Sequence, residues 1–304
     1  MSKPSKGTHE YQDDPRNADI IIDINGEHFP RAQATVSVFD SGFVLGDGVW
    51  EGLRLYAGRV FRLEQHLDRL YRSAELLRYE GMPERSEVKE ALRQTLLAND
   101  MHDGVHIRLT ISRGLKYTSG LDPRINTQGC SLFILAEFKP PVYDRSGVRL
   151  ATVAQRRPFA DVLDQTIHSC NQLTSILAKM QATDAGADDA LMLDTAGNLA
   201  ETNCTHLFLV KGGVVITPTT KACPTGITRL TILEVCEKHG IPCEVRDIPA
   251  AEIPQADEVF CTGTMGEIIS VNQIDDTRYD QGAMTARLAG LYEELTQSED
   301  EPMV

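Results

Sequence analysis

The chain has 304 residues, enough for two modest domains, and 41% of them are apolar, enough to bury a core. Its net charge of −14 is spread along the chain and excludes the basic face that DNA or RNA binding needs. No apolar run approaches the ~18 residues of a membrane span, and the opening MSKPSKGTHEYQDDPRN lacks the apolar core of a secretory leader.

Residues 1–18 are expected to form a polar, disordered tail. Asp19–Ile24 is a β-branched run followed by Asn25-Gly26, a hairpin signal, and a second short strand. From Arg62 to Tyr79, Leu63, Leu67, Leu70, Ala74 and Leu77 recur at helical spacing. Ser86 is placed to cap a second helix carrying Val88, Leu92, Leu96 and Leu97. Val105–Ser112 alternates, with Val105, Ile107, Leu109 and Ile111 on one face and His106, Arg108 and Thr110 on the other. Cys130–Glu137 is a more continuous apolar strand.

Phe138–Gly147 breaks the pattern at Pro140-Pro141 and reads as a linker, 138–147, between a domain of 19–137 and one of 148–304. The second half predicts strands at Val148–Ala154, Ala190–Asp194, Thr205–Val210, Val214–Thr217, Glu258–Thr262 and Glu267–Val271. It predicts helices at Ser169–Ala185, at Thr228–His239 with Gly240 as stop, and near Ala283–Leu295. The seven cysteines are scattered without a C-x-x-C pair, which points to free thiols in a reducing, cytoplasmic compartment and to no zinc site.

Four features carry possible chemistry. Gly226-Ile227-Thr228-Arg229 opens a helix, whose free N–H groups and dipole favour an anion; a plain helix start is the alternative. Cys261-Thr262-Gly263-Thr264-Met265-Gly266 ends a strand with small residues and hydroxyls, as an ordinary turn or as further phosphate donors. Glu201 is either a solvated charge or the partner of a protonated ring nitrogen. Arg69 follows His66 at i, i+3 on one helix face, either solvated or forked on a phosphate.

FDSGFVLGDGVWEGLRLYAGRVFRLEQHLDRL, then AGADDALMLDTAGNLAETNCTHLFLVKGGVVITPTTKACPTGITR, then DEVFCTGTMGEIISV resemble the class IV aminotransferases. These are the fold type IV pyridoxal-phosphate enzymes, among them branched-chain and D-amino acid aminotransferases, with aminodeoxychorismate lyase as a cousin. The likeness runs from about residue 20 to 275. It implies a two-domain α/β (α+β) fold, a homodimer, and pyridoxal 5'-phosphate or pyridoxamine 5'-phosphate as cofactor. By position in its motifs, Arg69 would grip the cofactor phosphate, with Gly226, Ile227 and Thr228 capping it and Thr264 and Met265 forming a second phosphate turn. Glu201 would pair with the pyridinium nitrogen, keeping the ring an electron sink, with Asn203 and Cys204 in the same cofactor-binding stretch. Trp50 and Arg108 would border the substrate, an amino acid or 2-oxo acid. Arg69, Glu201 and the amides of Ile227 and Thr228 are expected to serve one pocket.

One departure matters. The family's lysine falls on His168, or two residues earlier on Thr166, and no lysine occurs between Lys139 and Lys179. That lysine binds the cofactor covalently and shuttles the substrate's α-proton. Thr166 does neither well; His168 can move protons near neutral pH. The cofactor is therefore expected to be held without a lysine link, with Lys116 and Lys221 as possible substitutes. Lys179 is eleven residues beyond His168, roughly 16 Å along a helix. Three readings stay open: an aminotransferase-like enzyme, a lysine-independent lyase or hydrolase on the same scaffold, and a catalytically impaired cofactor-binding protein or lysine mutant.

Overall fold

A computed structural model of the chain describes residues 14–140, 146–298, 300 and 302–304. They form two compact units. The first takes residues 14–140 together with 167–171 and the C-terminal residues; the second takes 146–166 and 172–298.

The first unit runs β1 (Ile21–Ile24), β2 (Glu27–Pro30), α1 (Ser41–Leu45), β3 (Gly48–Tyr56), β4 (Arg59–Val60), α2 (Leu63–Leu76), α3 (Arg85–Ala98), β5 (Val105–Ser112) and β6 (Ser131–Phe138). Its sheet has the order β2-β1-β6-β5-β3-β4 and is antiparallel throughout. The hairpin signal is obeyed: Asn25 (φ 57°) and Gly26 (φ 82°) both turn left-handed between the paired Ile24 and Glu27. Val105, Ile107, Leu109 and Ile111 bury completely, as their alternation predicts. They share a core with Leu67 and Leu70 of α2 and Leu92 and Leu96 of α3. Each such leucine contributes about 1.5–3 kcal/mol by leaving water.

Two expectations change here. Ser86 is not the cap of α3: the helix starts at Arg85, and the Glu87 carboxylate takes the Glu84 N–H at 2.7 Å. Residues 14–18 are part of the fold, because the Asn17 amide donates to the Phe138 carbonyl at 2.9 Å and accepts its N–H at 2.8 Å; residues 1–13 lie outside the described residues. Half of the expected linker, 141–145, lies outside them too.

The second unit runs β7 (Val148–Arg157), α4 (Leu173–Asp184), β8 (Asp189–Asp194), β9 (Leu199–Thr202), β10 (His206–Lys211), β11 (Val214–Thr217), α5 (Ile227–Lys238), β12 (Cys243–Val245), β13 (Glu258–Gly263), β14 (Glu267–Ile274), β15 (Thr277–Arg278) and α6 (Ala283–Ser298). The strand order is β12-β11-β10-β13-β14-β7-β8-β9, with β15 against β14. Parallel pairing joins β7 to β8 and to β14, and β11 to β12.

The helix expected from Ser169 begins only at Leu173. Residues 168–170 extend instead along the open edge of β3. The Trp50 N–H donates to the His168 carbonyl at 3.0 Å, the Cys170 N–H donates to the Gly48 carbonyl at 2.7 Å, and Val49 bridges Ser169. An unpaired strand edge thus gains the ladder partners it lacks. At the other end of the chain, the Met303 and Val304 N–H groups donate to the Gly58 carbonyl and their side chains pack on the first core.

Candidate active site

In the first unit the polar chemistry gathers on one buried carboxylate. Strand β3 alternates, so Val49, Glu51, Leu53 and Leu55 all turn to the core and are 0% exposed. Glu51 is the charge in that apolar row, and both its oxygens are occupied. Arg69 of α2 donates Nε to Oε1 at 2.8 Å and Nη2 to Oε2 at 2.6 Å. His66, one turn earlier on α2, places Nδ1 2.6 Å from Oε2, and His168 places Nδ1 3.4 Å from Oε1. Burial alone would raise the Glu51 carboxyl, but Arg69, His168 and His66 outweigh it and hold it well below 4.5. Burial lowers both imidazoles below 6.5, with the Arg69 cation adding to the effect on His168, so both rings are neutral at pH 7.

His168 is fixed from several sides. Its Nδ1 lies 2.5 Å from the Trp50 carbonyl, and its backbone N–H donates to the Ser73 hydroxyl at 3.1 Å. The ring stacks on the Trp50 indole at 4.4 Å between centroids, and the indole N–H donates to the Ser169 carbonyl at 3.1 Å. The Arg108 guanidinium lies 4.0 Å from the Trp50 ring centre. Trp50 and Arg108, the two expected substrate residues, therefore touch each other and the His168 segment.

The second unit gathers its own set. Glu201 on β9 is 4% exposed, and Arg157, the last residue of β7, reaches its Oε1 with Nε at 3.0 Å. Arg157 also donates to the Ser175 hydroxyl at 3.0 Å and to Gln165 at 3.1 Å. His206 Nδ1 lies 4.0 Å from Glu201 Oε2 and 3.9 Å from the Cys223 sulfur. Burial, reinforced by the Glu201 charge, pushes the Cys223 thiol up. Among the described residues Glu201, His206 and Cys223 are the one trio with metal-ligand atoms within 4.8 Å of one another. The Arg157 cation already balances the carboxylate there.

Helix α5 starts beside this set. Gly226 has φ 67°, and a Cβ there would lie 2.3 Å from the His206 ring. No side chain caps the helix entrance. The Arg229 guanidinium is buried within its first turn and donates to two neutral acceptors, the Thr217 hydroxyl at 3.3 Å and the Pro218 carbonyl at 2.9 Å. Thr228 and Ile227 are buried. On β13, opposite His206, the Thr262 hydroxyl is buried without a hydrogen-bond partner, and Thr264 and Met265 form the turn that follows.

Other expected residues are placed differently. The Asn203 amide is turned to β8, donating to Asp189 at 3.2 Å and accepting the Ala190 N–H at 2.7 Å. Cys204 is exposed. The Thr166 hydroxyl donates to Asp164 at 2.6 Å, whereas His168 joins the Glu51 set. Lys221 is largely exposed and paired with Asp247 at 2.6 Å. Lys179 donates to the Asp188 carbonyl and pairs with Asp189 at 3.3 Å. Lys116 is 4% exposed, and its ammonium donates to the Asn126 amide oxygen at 3.0 Å.

Residues 48–274 match the Amino-transferase class IV family. The chain belongs to the class IV aminotransferase family. It is 46% identical over 293 residues to "Branched-chain-amino-acid aminotransferase-like protein 2" of Arabidopsis thaliana, covering 95% of this chain and 52% of that one. The chain thus spans about half the length of the two plant relatives it matches. The "Putative branched-chain-amino-acid aminotransferase" of Methanocaldococcus jannaschii is 39% identical over 255 residues, covering 84% and 88% of the two chains. Among solved structures, the branched-chain aminotransferase of Thermoproteus uzoniensis with norvaline superposes with a TM-score of 0.86 at 28% identity, covering 93% and 96%. A branched-chain amino acid aminotransferase from T.th., complexed with N-(5'-phosphopyridoxyl)-L-glutamate, gives 0.85 at 31% identity, covering 93% and 95%. The fold is therefore the mixed α/β fold of these fold type IV aminotransferases.

For a class IV aminotransferase, Glu51, Arg157, His206 and Cys223 are the members of these clusters that motif reading passed over. Glu51 carried a signal: a carboxylate on the apolar row of an alternating strand, beside the quoted Trp50. Arg157 and His206 carried none, since what they meet depends on how β7, β9 and β10 pack.

Proposed function

We propose that this chain holds pyridoxal phosphate, or its pyridoxamine form, without a lysine link. In this reading it moves an amino group between a small amino acid and a 2-oxo acid. The observation that carries the reading is the second unit's own chemistry: a buried carboxylate, Glu201, beside an uncapped helix entrance at Gly226–Thr228 that a buried arginine keeps positive. That donor set suits an anionic phosphate and a basic ring nitrogen. The unpartnered Thr262 hydroxyl offers one more donor. Arg69 is assigned to the same phosphate by the family motif. When bound, the ring supplies an electron sink for charge at the substrate's α-carbon. The protein's part is to orient the ring through Glu201, to hold the phosphate, to receive the substrate carboxylate at Arg108 beside Trp50, and to move the proton at His168. The names of the relatives favour branched-chain substrates; a D-alanine aminotransferase 31% identical over 265 residues keeps D-amino acids in the test panel.

Titration of the protein with pyridoxal phosphate, followed by borohydride and mass measurement, tests this directly. Saturable binding without covalent fixation, and a spectral half-reaction with one member of an amino-acid panel, are expected. Absence of binding would sink the proposal. Glu201→Gln is expected to weaken the titration. Borohydride fixation would point to a lysine, Lys116 first, since it is buried and held by a neutral amide.

A second reading is favoured by one observation: a histidine stands where the lysine is expected, and Lys179 and Lys221 are ion-paired elsewhere. Binding with no half-reaction would support a lysine-independent enzyme or an impaired cofactor-binding protein. A homodimer is also proposed. Its support is the apolar stripe of α4, where Leu173, Ile176, Leu177 and Met180 stand exposed at helical spacing. No described helix is long and apolar enough to cross a membrane. A cytoplasmic place is proposed from the seven cysteines, none of which forms a disulfide.

A further inference from the structure

We propose that Glu51 is a positioning residue that, with the Trp50 carbonyl, locks His168 in its Nδ1–H form, so that the bare Nε2 is the proton acceptor of the site. This rests on the reading that His168 carries the proton.

The argument is one of donors and acceptors. The Trp50 oxygen, 2.5 Å from Nδ1, accepts only. Glu51 Oε1, 3.4 Å from Nδ1, belongs to a carboxylate that Arg69 and its neighbours keep ionised, so it too accepts only. With two acceptors at one nitrogen, a neutral ring places its proton there. The lone pair is then on Nε2. The same logic is seen where a carboxylate orients a catalytic histidine.

The surroundings keep the ring neutral and ready. Within its unit, His168 faces Glu51 of β3 and Arg69 of α2. His66 reaches it through Glu51, and Arg108 of β5 lies over the Trp50 ring. Arg69 pairs with Glu51 through Nε and Nη2, and the neutral histidines add no charge. A proton taken at Nε2 makes the ring cationic while Nδ1–H stays on the Trp50 carbonyl. That cation lies stacked on the indole face and beside Glu51, both of which stabilise it. Returning the proton from Nε2 restores the starting state, so no other reactant is consumed. The Ser73 hydroxyl, which accepts the His168 N–H, fixes the backbone behind the ring.

The test uses the whole protein, labelled with nitrogen-15 at histidine and free of added cofactor. Comparison with His168→Gln assigns the His168 signals among the eight histidines. A long-range proton–nitrogen spectrum is expected to show His168 with its proton on Nδ1 and a protonation midpoint below 6.5. Glu51→Gln removes the stabilising charge and is expected to move that midpoint down by about one pH unit and to mix the two neutral forms. Arg69→Met is expected to move it up, which supplies a second variant where Glu51→Gln fails to fold. A proton on Nε2 in the unmutated protein overturns the proposal, as does an unchanged midpoint in a folded Glu51→Gln protein. Pyridoxal phosphate is titrated into the same sample afterwards. Loss of binding with the Nδ1–H form intact would count against the cofactor reading alone.

Discussion

At the residue scale, the weight of the first cluster falls on Glu51. Its two oxygens, themselves buried, meet Arg69, His66 and His168. Removing its charge leaves the Arg69 guanidinium, 13% exposed, without its counterion. Glu51→Gln is expected to destabilise the fold by about 3–5 kcal/mol in urea unfolding. A loss under ~1 kcal/mol, the size of a surface ion pair, would show that water reaches the cluster. His168→Lys asks the complementary question. If position 168 occupies the lysine's place, borohydride is expected to fix pyridoxal phosphate to the variant at that residue and not to the unmutated chain. Peptide mapping reads the outcome, and an unmodified peptide across position 168 in the cofactor-saturated variant would show that the place is elsewhere.

At the element scale, the entrance of α5 is the most constrained piece of backbone in either cluster. Gly226 holds φ 67° and ψ 109°, where a side chain is strained, and a methyl would meet the His206 ring. Gly226→Ala is expected to cost about 1–3 kcal/mol of stability. It is also expected to weaken pyridoxal phosphate binding by about tenfold or more, roughly 1.4 kcal/mol, because the helix amides and His206 cannot both keep their places. Full binding by the variant would move the phosphate away from this helix. The glycine, the helix and the turn at Thr264 were legible in the sequence, because each is a local signal. So was the Val105–Ser112 strand, whose period of two survives intact. Strand β3 was missed as a strand although it lies in the quoted motif: glycines at 48 and 52 and the charges at 51 and 54 blur its alternation. The start of α4 was misread for a different reason. Ser169, Cys170 and Asn171 are weak helix formers, and the open edge of β3, more than a hundred residues away in sequence, claims 168–170 as its partner. No window of local sequence contains that competition. The same holds for the Arg157–Glu201 pair, which exists only because β7 and β9 both flank β8.

At the scale of the whole molecule, two properties follow from side chains that the fold either exposes or buries. The exposed stripe of α4 is expected to be covered by a second copy. Ile176→Asp would then shift the protein from dimer to monomer in light scattering at micromolar concentration, and an unchanged mass would remove α4 from the interface. His66 and His168 govern how the fold responds to acid. Burial lowers His66 and His168 below the 6.5 of a free imidazole, so above that pH folded and unfolded chains hold both rings neutral. As pH falls through 6.5, the unfolded chain binds protons at both rings while the folded chain does not, and stability drops. Each ring contributes a slope of about 1.4 kcal/mol per pH unit until its folded midpoint is reached, so the pair gives up to ~2.7 kcal/mol per unit. Glu51 extends the loss further: held well below 4.5 in the fold, it favours the protonated unfolded chain once pH passes under that value. Asp23 and Asp188, whose carboxyls burial raises above 3.8, act with the opposite sign, and they do so in their own range at the acid end. Urea midpoints between about pH 7.5 and 5.5 therefore isolate the histidines. The fold is expected to weaken steadily below 6.5, and His168→Asn to lose about half of that slope. A flat profile in the unmutated protein would mean that the two rings charge without unfolding, and that the Glu51 cluster opens to water in the native state.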